Sequence, residues 1–387
     1  MDNASGTQID SRVLGVIYDS LGLYGNPSST HGIGRELKTK LEKARGDVAA
    51  FINAKPKEVT FFSSATEANN TCLKGFAYAN SDKGKHILSS PIEHASVYRT
   101  LEHLRTQGYE IEFLRVDGKG LIDIDDLKSK IREDTIAVTA IFGSNEVSTV
   151  QDISAISEVT RSCGVVFHTD ATQAAGVCDI DVAGMGIDML TFSGHKQLYA
   201  GKGAGALYCK EGIKVAPLVH GGSQEHGMRG GTEDVVSICA LAEGCNISSN
   251  AARFALRTQL HAQKTELILR LSDSIPGTII NGCYGIPDSL PHIVNISFEG
   301  VNSEALQLMM DSSGILIGGG SACSVKSGEP SRILLAMGAS AGQSLSSVRF
   351  SFSKYNSPGD VFCTAESLRG AVGKLRALNP CYGGGAV

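Results

Sequence analysis

The sequence predicts an α/β fold with a mostly parallel sheet and a second, smaller α+β unit. Short apolar runs alternate with helical segments between residues 58 and 209, as they do where crossover helices join parallel strands. Polar residues suited to chemistry follow several of these runs, at the strand ends where ligands bind in such sheets. The chain has 387 residues, which is more than one hydrophobic core usually serves.

The predicted elements follow in chain order. Apolar residues at helical spacing predict a helix over residues 34–51. Buried runs bounded by turn residues predict strands at residues 58–64, 85–90, 135–143, 164–170, 188–194 and 205–209, and helices at 66–80 and 96–108 follow the first two. The smaller unit comprises a long helix at residues 251–274, strands at 291–300 and 347–355 and a helix at 303–313. The domain boundary should therefore fall near residue 250.

Composition and charge exclude several classes of function. The formal charge of −5 and the pI near 6.1 argue against nucleic acid as a direct partner. The chain has no apolar stretch as long as a membrane span and no signal peptide at its N-terminus, so we expect a cytoplasmic protein without a membrane partner. Its ten cysteines lack closely spaced pairs, which indicates buried thiols rather than disulfides or a zinc site.

A candidate anion site lies at residues 63–70, where a strand gives way to small hydroxylated residues and a helix. Ala65 and Thr66 leave room for a phosphate beside the exposed amides of the helix N-terminus. The alternative is that Thr66 is an ordinary N-cap with Glu67 in the first helical turn.

Two further segments carry groups that suit an aromatic cofactor. Asp170 ends an apolar run with Gln173 one turn later, and a carboxylate there can bond a protonated ring nitrogen. His94 follows the strand at residues 85–90, where an imidazole can stack on a ring and shuttle protons. Taken alone, Asp170 is more typical of a helix cap or turn former, and His94 is an unremarkable histidine.

Lys196 lies between a histidine and a run of glycines, directly after the apolar residues 189–192. A lysine amine is nucleophilic when it is neutral, and it then forms Schiff bases with carbonyl compounds. The alternative is an exposed lysine in a glycine-rich loop. An anion site, a ring-nitrogen partner and an imine-forming lysine are together the groups by which proteins hold pyridoxal phosphate.

With these residues in place, the chain resembles the NifS/IscS-like cysteine desulfurase family, a class-V aminotransferase branch of PLP-dependent enzymes of fold type I. The resemblance runs in order through "SSATEANN" (63–70), "EHASV" (93–97), "GSNEVSTVQDI" (143–153), "HTDATQAAG" (168–176), "SGHK" (193–196), "HGGSQEHGMRGGTEDV" (220–235), "GGSACSVKSGEPS" (319–331) and "SVRFSFS" (347–353). It implies a large domain at residues 12–250 with a seven-stranded sheet, and a small domain formed by residues 1–11 and 251–387.

The resemblance also implies a role for each cofactor group. Lys196 would carry pyridoxal 5'-phosphate as an imine, and Asp170 would pair with the pyridinium nitrogen. His94 would stack on the ring and Gln173 would contact its phenolic oxygen.

The phosphate and the substrate would be held by a second set of residues. The phosphate ligands would be Ala65, Thr66, Ser193, His195 and, across the interface of a homodimer, Thr232. Asn145 and Arg349 would bind the substrate amino acid, since an arginine fork suits a carboxylate.

Cys323 is the residue that would accept the sulfur. Composition alone favours an inert buried thiol, but the residue matches the family cysteine whose thiolate attacks the substrate sulfur. The resemblance implies that L-cysteine is converted to L-alanine, and that the persulfide on Cys323 passes to an acceptor protein for iron–sulfur cluster assembly or tRNA thiolation.

Three other functions stay open at this point. A selenocysteine lyase would use the same site with less need for the thiol. A sulfur-relay or scaffold protein would retain a vestigial cofactor site. An aminotransferase or another lyase would use the same fold for different chemistry.

Overall fold

The computed structural model describes residues 1–319, 329–379 and 382, and these form two β-sheets surrounded by helices. The helices are α1 (Ser11–Leu21), α2 (Gly32–Phe51), α3 (Ala65–Ala79), α4 (Ala95–Thr106), α5 (Ile124–Lys130), α6 (Ile153–Ser162), α7 (Val235–Ile247), α8 (Asn250–Ser274), α9 (Ser303–Ser312), α10 (Arg332–Ala336), α11 (Ala341–Leu345) and α12 (Pro358–Ala377). The strands are β1 (Val59–Phe62), β2 (His86–Ser89), β3 (Glu110–Phe113), β4 (Thr135–Thr139), β5 (Val166–Asp170), β6 (Met189–Ser193), β7 (Gly205–Cys209), β8 (Thr278–Asn281), β9 (Ile293–Phe298), β10 (Gly318–Gly319) and β11 (Ser347–Ser351).

The larger sheet has seven strands in the order β1-β7-β6-β5-β4-β2-β3. The five strands from β6 to β3 in this order are parallel, and β7 runs antiparallel to both of its neighbours. The predicted mostly parallel, seven-stranded α/β fold is therefore confirmed. Strands β1, β2, β4 and β6 are buried along their whole length, as expected for a sheet covered on both faces.

The smaller sheet is antiparallel, in the order β10-β11-β9-β8. Helices α8, α9 and α12 pack together beside it, and their buried leucines and valines join its core. This second sheet supports the predicted domain division at residue 250, which stays a proposal.

The strands that the sequence pattern did not predict are β3, β8 and β10, and each lies at an edge of its sheet. Only Ile111 of β3 is fully buried, and β8 is buried only at Asn281. A strand that is half exposed lacks the continuous apolar run from which the other strands were predicted.

Gly205 lies where β7 passes the turn between β1 and α3. A Cβ atom at this position would lie 2.4 Å from the carbonyl carbon of Ser64 and 2.7 Å from the backbone nitrogen of Ala65. Both contacts are to backbone, which a side-chain rotation cannot relieve, so the position requires glycine.

Within the described part of the chain, the helices are too short or too polar to cross a lipid bilayer.

Candidate active site

A cavity of about 420 Å³ opens at the carboxyl edge of the larger sheet. Parallel strands bring their carboxyl ends to one edge, and the residues that follow β1, β4, β5 and β6 therefore meet there. The cavity is lined by most of the predicted site residues: Ala65, Thr66, His94, Asn145, Asp170, Gln173, His195, Lys196 and Arg349.

The candidate anion site is formed by the start of α3 and the turn after β6. The side chain of Ser64 caps α3 by accepting from the backbone N–H of Glu67 at 3.2 Å, so the alternative that Thr66 is the N-cap is wrong. Thr66 is exposed in the first turn of the helix, beside the cavity. Amides in this first turn have no partner within the helix and suit an anion.

Ser193 and His195 lie opposite this helix start. Ser193 is buried outside the cavity lining, and its hydroxyl lies 3.0 Å from Nδ1 of His195 and donates to the carbonyl of Ala204 at 3.1 Å. Burial, and then the nearby Lys196, lowers the pKa of His195 to about 4. His195 is therefore a neutral hydrogen-bonding group at physiological pH.

Asp170 ends β5 and is almost fully buried. Its Oδ1 accepts from the backbone N–H of Thr172 at 2.9 Å, and its Oδ2 accepts from Nδ2 of Asn69 at 2.7 Å. The residue is thus a turn former, as the sequence alone suggested, and it also presents a hydrogen-bonded carboxylate to the cavity.

Gln173, one turn beyond, donates through Nε2 to the carbonyl of Ala4 at 3.0 Å, and its Oε1 lies 3.2 Å from Nε2 of His292. Both ends of the amide are therefore held in place beside Asp170.

Lys196 projects into the cavity and is not a surface lysine. Its Nζ donates to the carbonyls of Ala4 at 2.6 Å and Ser5 at 3.2 Å. Burial, followed by the positive charge of Arg349, lowers the pKa of Lys196 to about 8 from the usual 10.5. A substantial fraction of the amine is therefore neutral near pH 8.

We expect Lys196 to react with aldehydes at a lower pH than ordinary lysines do. Its rate of imine formation with pyridoxal phosphate should rise with pH and level off above about pH 8, because only the neutral amine attacks. Cyanoborohydride trapping at a series of pH values, followed by peptide mass spectrometry, measures this rate. Exposed lysines in the same digest, with ordinary pKa values near 10.4, serve as the internal control. A Lys196 midpoint at or above pH 10 would contradict the expectation.

His94 caps the start of α4, where its Nδ1 accepts from the backbone N–H of Ser96 at 3.1 Å. The ring remains accessible from the open cavity, and partial desolvation is the main cause that lowers its pKa. The preceding Glu93 is fully buried, which raises the pKa of its carboxyl to about 8. Arg332 of α10, which also lines the cavity, donates to the backbone carbonyls of Pro91 and Glu93 and so holds this segment in place.

Arg349 and Asn145 form the opposite wall. The guanidinium of Arg349 donates to the carbonyl of Asn145 at 2.8 Å, to Oδ1 of Asp2 at 2.9 Å and to the hydroxyl of Ser5 at 2.9 Å. Nε of Arg349 and Oδ1 of Asn145 are buried and make no hydrogen bond within the described residues. A donor and an acceptor therefore remain available beside the cavity.

Comparison with known proteins identifies the family. The sequence model described as Aminotransferase class-V matches residues 1–362. The chain belongs to the class-V aminotransferase family. This is a family of pyridoxal phosphate enzymes, so the chain is an enzyme of that family and the resemblance drawn from its motifs is confirmed.

Within the class-V aminotransferases, the chain is similar to proteins named cysteine desulfurase. Cysteine desulfurase IscS of Dictyoglomus turgidum is 38% identical over 92% of this chain and 90% of its own length. Cysteine desulfurase IscS of Neisseria meningitidis serogroup A is 38% identical over 99% of this chain and 94% of its own.

Solved structures show the same relationship. A NifS-like protein has a TM-score of 0.89 and 28% identity over 96% of this chain and 98% of its own. SspA in complex with cysteine has a TM-score of 0.80 and 32% identity over 92% of this chain and 99% of its own.

Thr232 does not line the cavity. It is exposed in the segment between β7 and α7. A buried ion pair fixes this segment, because both carboxylate oxygens of Glu225 accept from the Arg45 guanidinium, at 2.7 and 2.8 Å. Glu225 Oε2 also accepts from the backbone N–H of Phe61 in β1. Arg229 adds an ion pair with Glu67 in the first turn of α3.

Cys323 lies outside the described residues. The chain on either side of it is described: Gly318 lies against the guanidinium of Arg349, and residues 329–332 line the cavity. The segment that carries Cys323 therefore begins and ends at this site.

Asn69 is the important residue that the sequence analysis missed. It is fully buried on α3 and contacts Asp170, Ser96 and Thr191. The signal was a polar side chain at a position where the helical spacing predicts an apolar one. Such a position indicates a buried hydrogen-bonded group but does not identify its partners.

Proposed function

We propose that the chain is a cysteine desulfurase, which removes sulfur from L-cysteine to give L-alanine and a persulfide on Cys323. The observation that carries the proposal is a single cavity in which the Lys196 amine, the Asp170 carboxylate and the Arg349 guanidinium meet. Residues 329–332, which follow the Cys323 segment, line the same cavity, and Gly318 before it lies against the Arg349 guanidinium. The similarity to proteins named cysteine desulfurase supports this reading.

The residues present fit pyridoxal 5'-phosphate. An anion site at the start of α3, a buried carboxylate in Asp170 and an amine with a lowered pKa in Lys196 are the groups that this cofactor needs. Ala65, Thr66, Ser193 and His195 would hold the phosphate, Gln173 the phenolic oxygen, and His94 would stack on the ring. When bound, the cofactor supplies an electron sink that makes the Cα proton of an amino acid acidic.

The substrate carboxylate would be bound by Arg349 together with Asn145. Nε of Arg349 has no partner among the described residues, and Nη1 donates one of its two hydrogens there, to the carbonyl of Asn145, whereas Nη2 donates to both Asp2 and Ser5. An arginine can hold a carboxylate through two nitrogens, which fixes the orientation of the amino acid. Lys196, whose amine is partly neutral near pH 8, would accept the proton released from Cα.

Sulfur transfer requires a nucleophile, and we assign this role to Cys323. Its thiolate attacks the sulfur of the bound cysteine, so that an S–S bond forms and the C–S bond breaks. The electron pair of the C–S bond stays on the carbon skeleton, which takes up a proton at Cβ, regains one at Cα and leaves as alanine. The sulfur remains on Cys323 as a persulfide, ready for a second thiol.

Two further parts of the proposal concern partners. The exposed Thr232, held by the buried Arg45–Glu225 pair, would reach the phosphate bound by the other subunit of a homodimer. An acceptor protein would then take the sulfur from Cys323, in iron–sulfur cluster assembly or in thiolation of tRNA.

The proposal is tested with the cofactor-loaded protein and cysteine. Mass spectrometry should show a gain of one sulfur atom on the peptide containing Cys323, and Cys323→Ala should abolish both this gain and alanine formation. Cys363→Ala is the matched control, because Cys363 is an exposed cysteine on α12 and its loss should leave both unchanged. Alanine formation that persists in Cys323→Ala would refute the role of Cys323. Formation of pyruvate together with a transaminated keto acid would instead indicate an aminotransferase. Activity on selenocysteine but not on cysteine would indicate a selenocysteine lyase.

A further inference from the structure

A continuous chain of hydrogen bonds connects Asp170 to His94 beneath the cavity. Nδ2 of Asn69 donates one hydrogen to Oδ2 of Asp170 at 2.7 Å and the other to the hydroxyl of Ser96 at 2.9 Å. The Ser96 hydroxyl lies 2.8 Å from Nδ1 of His94. Asn69 and Ser96 are both buried, so solvent does not compete for these bonds.

The direction of each bond follows from the chemistry of its two ends. A carboxylate only accepts, so the amide nitrogen of Asn69 must face Asp170, and Oδ1 of Asn69 accepts from the Thr191 hydroxyl. Because Ser96 accepts from Asn69, its single hydroxyl hydrogen is free to donate to Nδ1 of His94. The backbone N–H of Ser96 donates to the same nitrogen at 3.1 Å.

We propose that Asn69 and Ser96 are positioning residues that keep the His94 imidazole in the tautomer with its proton on Nε2. Two donors converge on Nδ1, so a proton on Nδ1 would break the bond from the Ser96 backbone N–H and force the Ser96 hydroxyl to turn from donor to acceptor. Nε2 is the nitrogen left for the cavity, and it therefore presents an N–H donor there.

This inference deepens the proposed function, because it divides the proton transfers between two residues. With Nε2 already protonated, His94 can donate a proton or a hydrogen bond into the cavity but cannot accept a proton there at the outset. Acceptance of the Cα proton then falls to Lys196, whose pKa of about 8 suits that task. His94 would serve the steps in which a proton is returned.

The charged groups around His94 come from several elements. They are Asp170 of β5, Lys196 after β6, Arg332 of α10 and Arg349 of β11. Desolvation is the main cause that lowers the pKa of His94; the three cations lower it further, and Asp170 raises it. The hydrogen-bond chain therefore acts on a neutral ring.

The test uses the full chain with ¹⁵N-labelled histidine, before and after addition of pyridoxal phosphate. Two-dimensional NMR should show His94 with an unprotonated Nδ1 and a protonated Nε2 at pH 7, and the signal missing from His94→Gln identifies the residue. In Asn69→Asp the donor to Ser96 becomes an acceptor and Ser96 turns toward it. The pH midpoint of His94 should then rise by about one unit. Ser96→Ala, which removes the hydroxyl donor, should make the Nδ1–H tautomer detectable.

Asn70→Asp is the matched control, because it places the same charge one residue along α3. Among the described residues the Asn70 side chain bonds only to the carbonyl of Thr66, which is not part of the hydrogen-bond chain to His94, so the His94 midpoint should move by less than about 0.3 units. His94 with its proton on Nδ1 in the unmodified protein would overturn the inference, and so would unchanged His94 signals in both Asn69→Asp and Ser96→Ala. The tautomer is measured without turnover, so the two proposals can fail separately. If the His94 signals are as expected but the protein forms no alanine, the proposed function is refuted and the inference about His94 stands.

Discussion

Replacement of Asp170 by asparagine is expected to slow alanine formation from cysteine by at least about 100-fold, while the protein remains folded. The variant loses the negative charge that would stabilise a protonated ring nitrogen. It also sets a second amide against Nδ2 of Asn69, from which Oδ2 of Asp170 accepts at 2.7 Å. Steady-state alanine release measures the first effect, and urea unfolding should show a loss of about 1–2 kcal/mol from the second.

Asp179→Asn provides the matched control for this variant. Asp179 is a largely exposed carboxylate that pairs with Arg253 and Arg257, away from the cavity. Its replacement should leave the rate of alanine release unchanged. A rate in Asp170→Asn within about threefold of this control would contradict the role assigned to the Asp170 carboxylate.

Replacement of Glu225 by alanine should lower the free energy of unfolding by about 3–5 kcal/mol. The side chains of Glu225 and Arg45 are each 2% exposed, so the variant leaves the buried guanidinium with only Glu42, which is 44% exposed, as an acidic partner. Glu225 and His226 also have positive φ angles of 48° and 55°. This backbone conformation is unfavourable for residues other than glycine, and it persists where surrounding contacts such as the Arg45–Glu225 ion pair hold it. Urea unfolding at a fixed protein concentration measures the loss.

Two further variants separate the buried pair from surface electrostatics. Glu42→Ala removes the other acidic partner of Arg45, which is 44% exposed, and should cost less than about 1 kcal/mol. The double variant Arg45→Met with Glu225→Leu should recover most of the stability lost in Glu225→Ala, because no charge stays buried. Equal losses in Glu42→Ala and Glu225→Ala would show that burial of the pair is not the cause.

The meeting of Asp170 and Lys196 in one cavity could be predicted from the sequence, because the end of a buried strand can be recognised from a few neighbouring residues. Asp170 and Lys196 each follow a buried apolar run, and parallel strands bring such ends to one edge. The bounds of most buried strands and of α2 and α8 were predicted to within two residues for the same reason, since their apolar pattern is continuous, but β4 and β11 each end four residues earlier than predicted. The edge strands β3, β8 and β10, which are partly exposed or very short, were not predicted.

The hydrogen-bond partners could not be predicted in this way. Asn69 lies 101 residues from Asp170 and 27 from Ser96, and Arg349 contacts Asp2 from 347 residues away. No sequence spacing encodes such pairs, because they depend on how the two sheets and the N-terminal segment pack. At the start of α3 the sequence analysis considered Thr66 as the N-cap, whereas the structure places the cap two residues earlier, at Ser64.

The glycine at position 205 limits how the site can change over evolution. The candidate anion site has two segments, the start of α3 after β1 and the turn after β6. Strand β7 lies between β1 and β6, so these segments are two strand spacings apart, about 9.5 Å. Gly205 brings the backbone of β7 directly against the first of these segments. The gap is therefore bounded by main chain rather than by side chains, and point substitutions cannot widen it for a bulkier anion. A family member that accommodates a larger group there would need an insertion or a shifted strand, so ligand size at this end should vary little among proteins that keep this glycine.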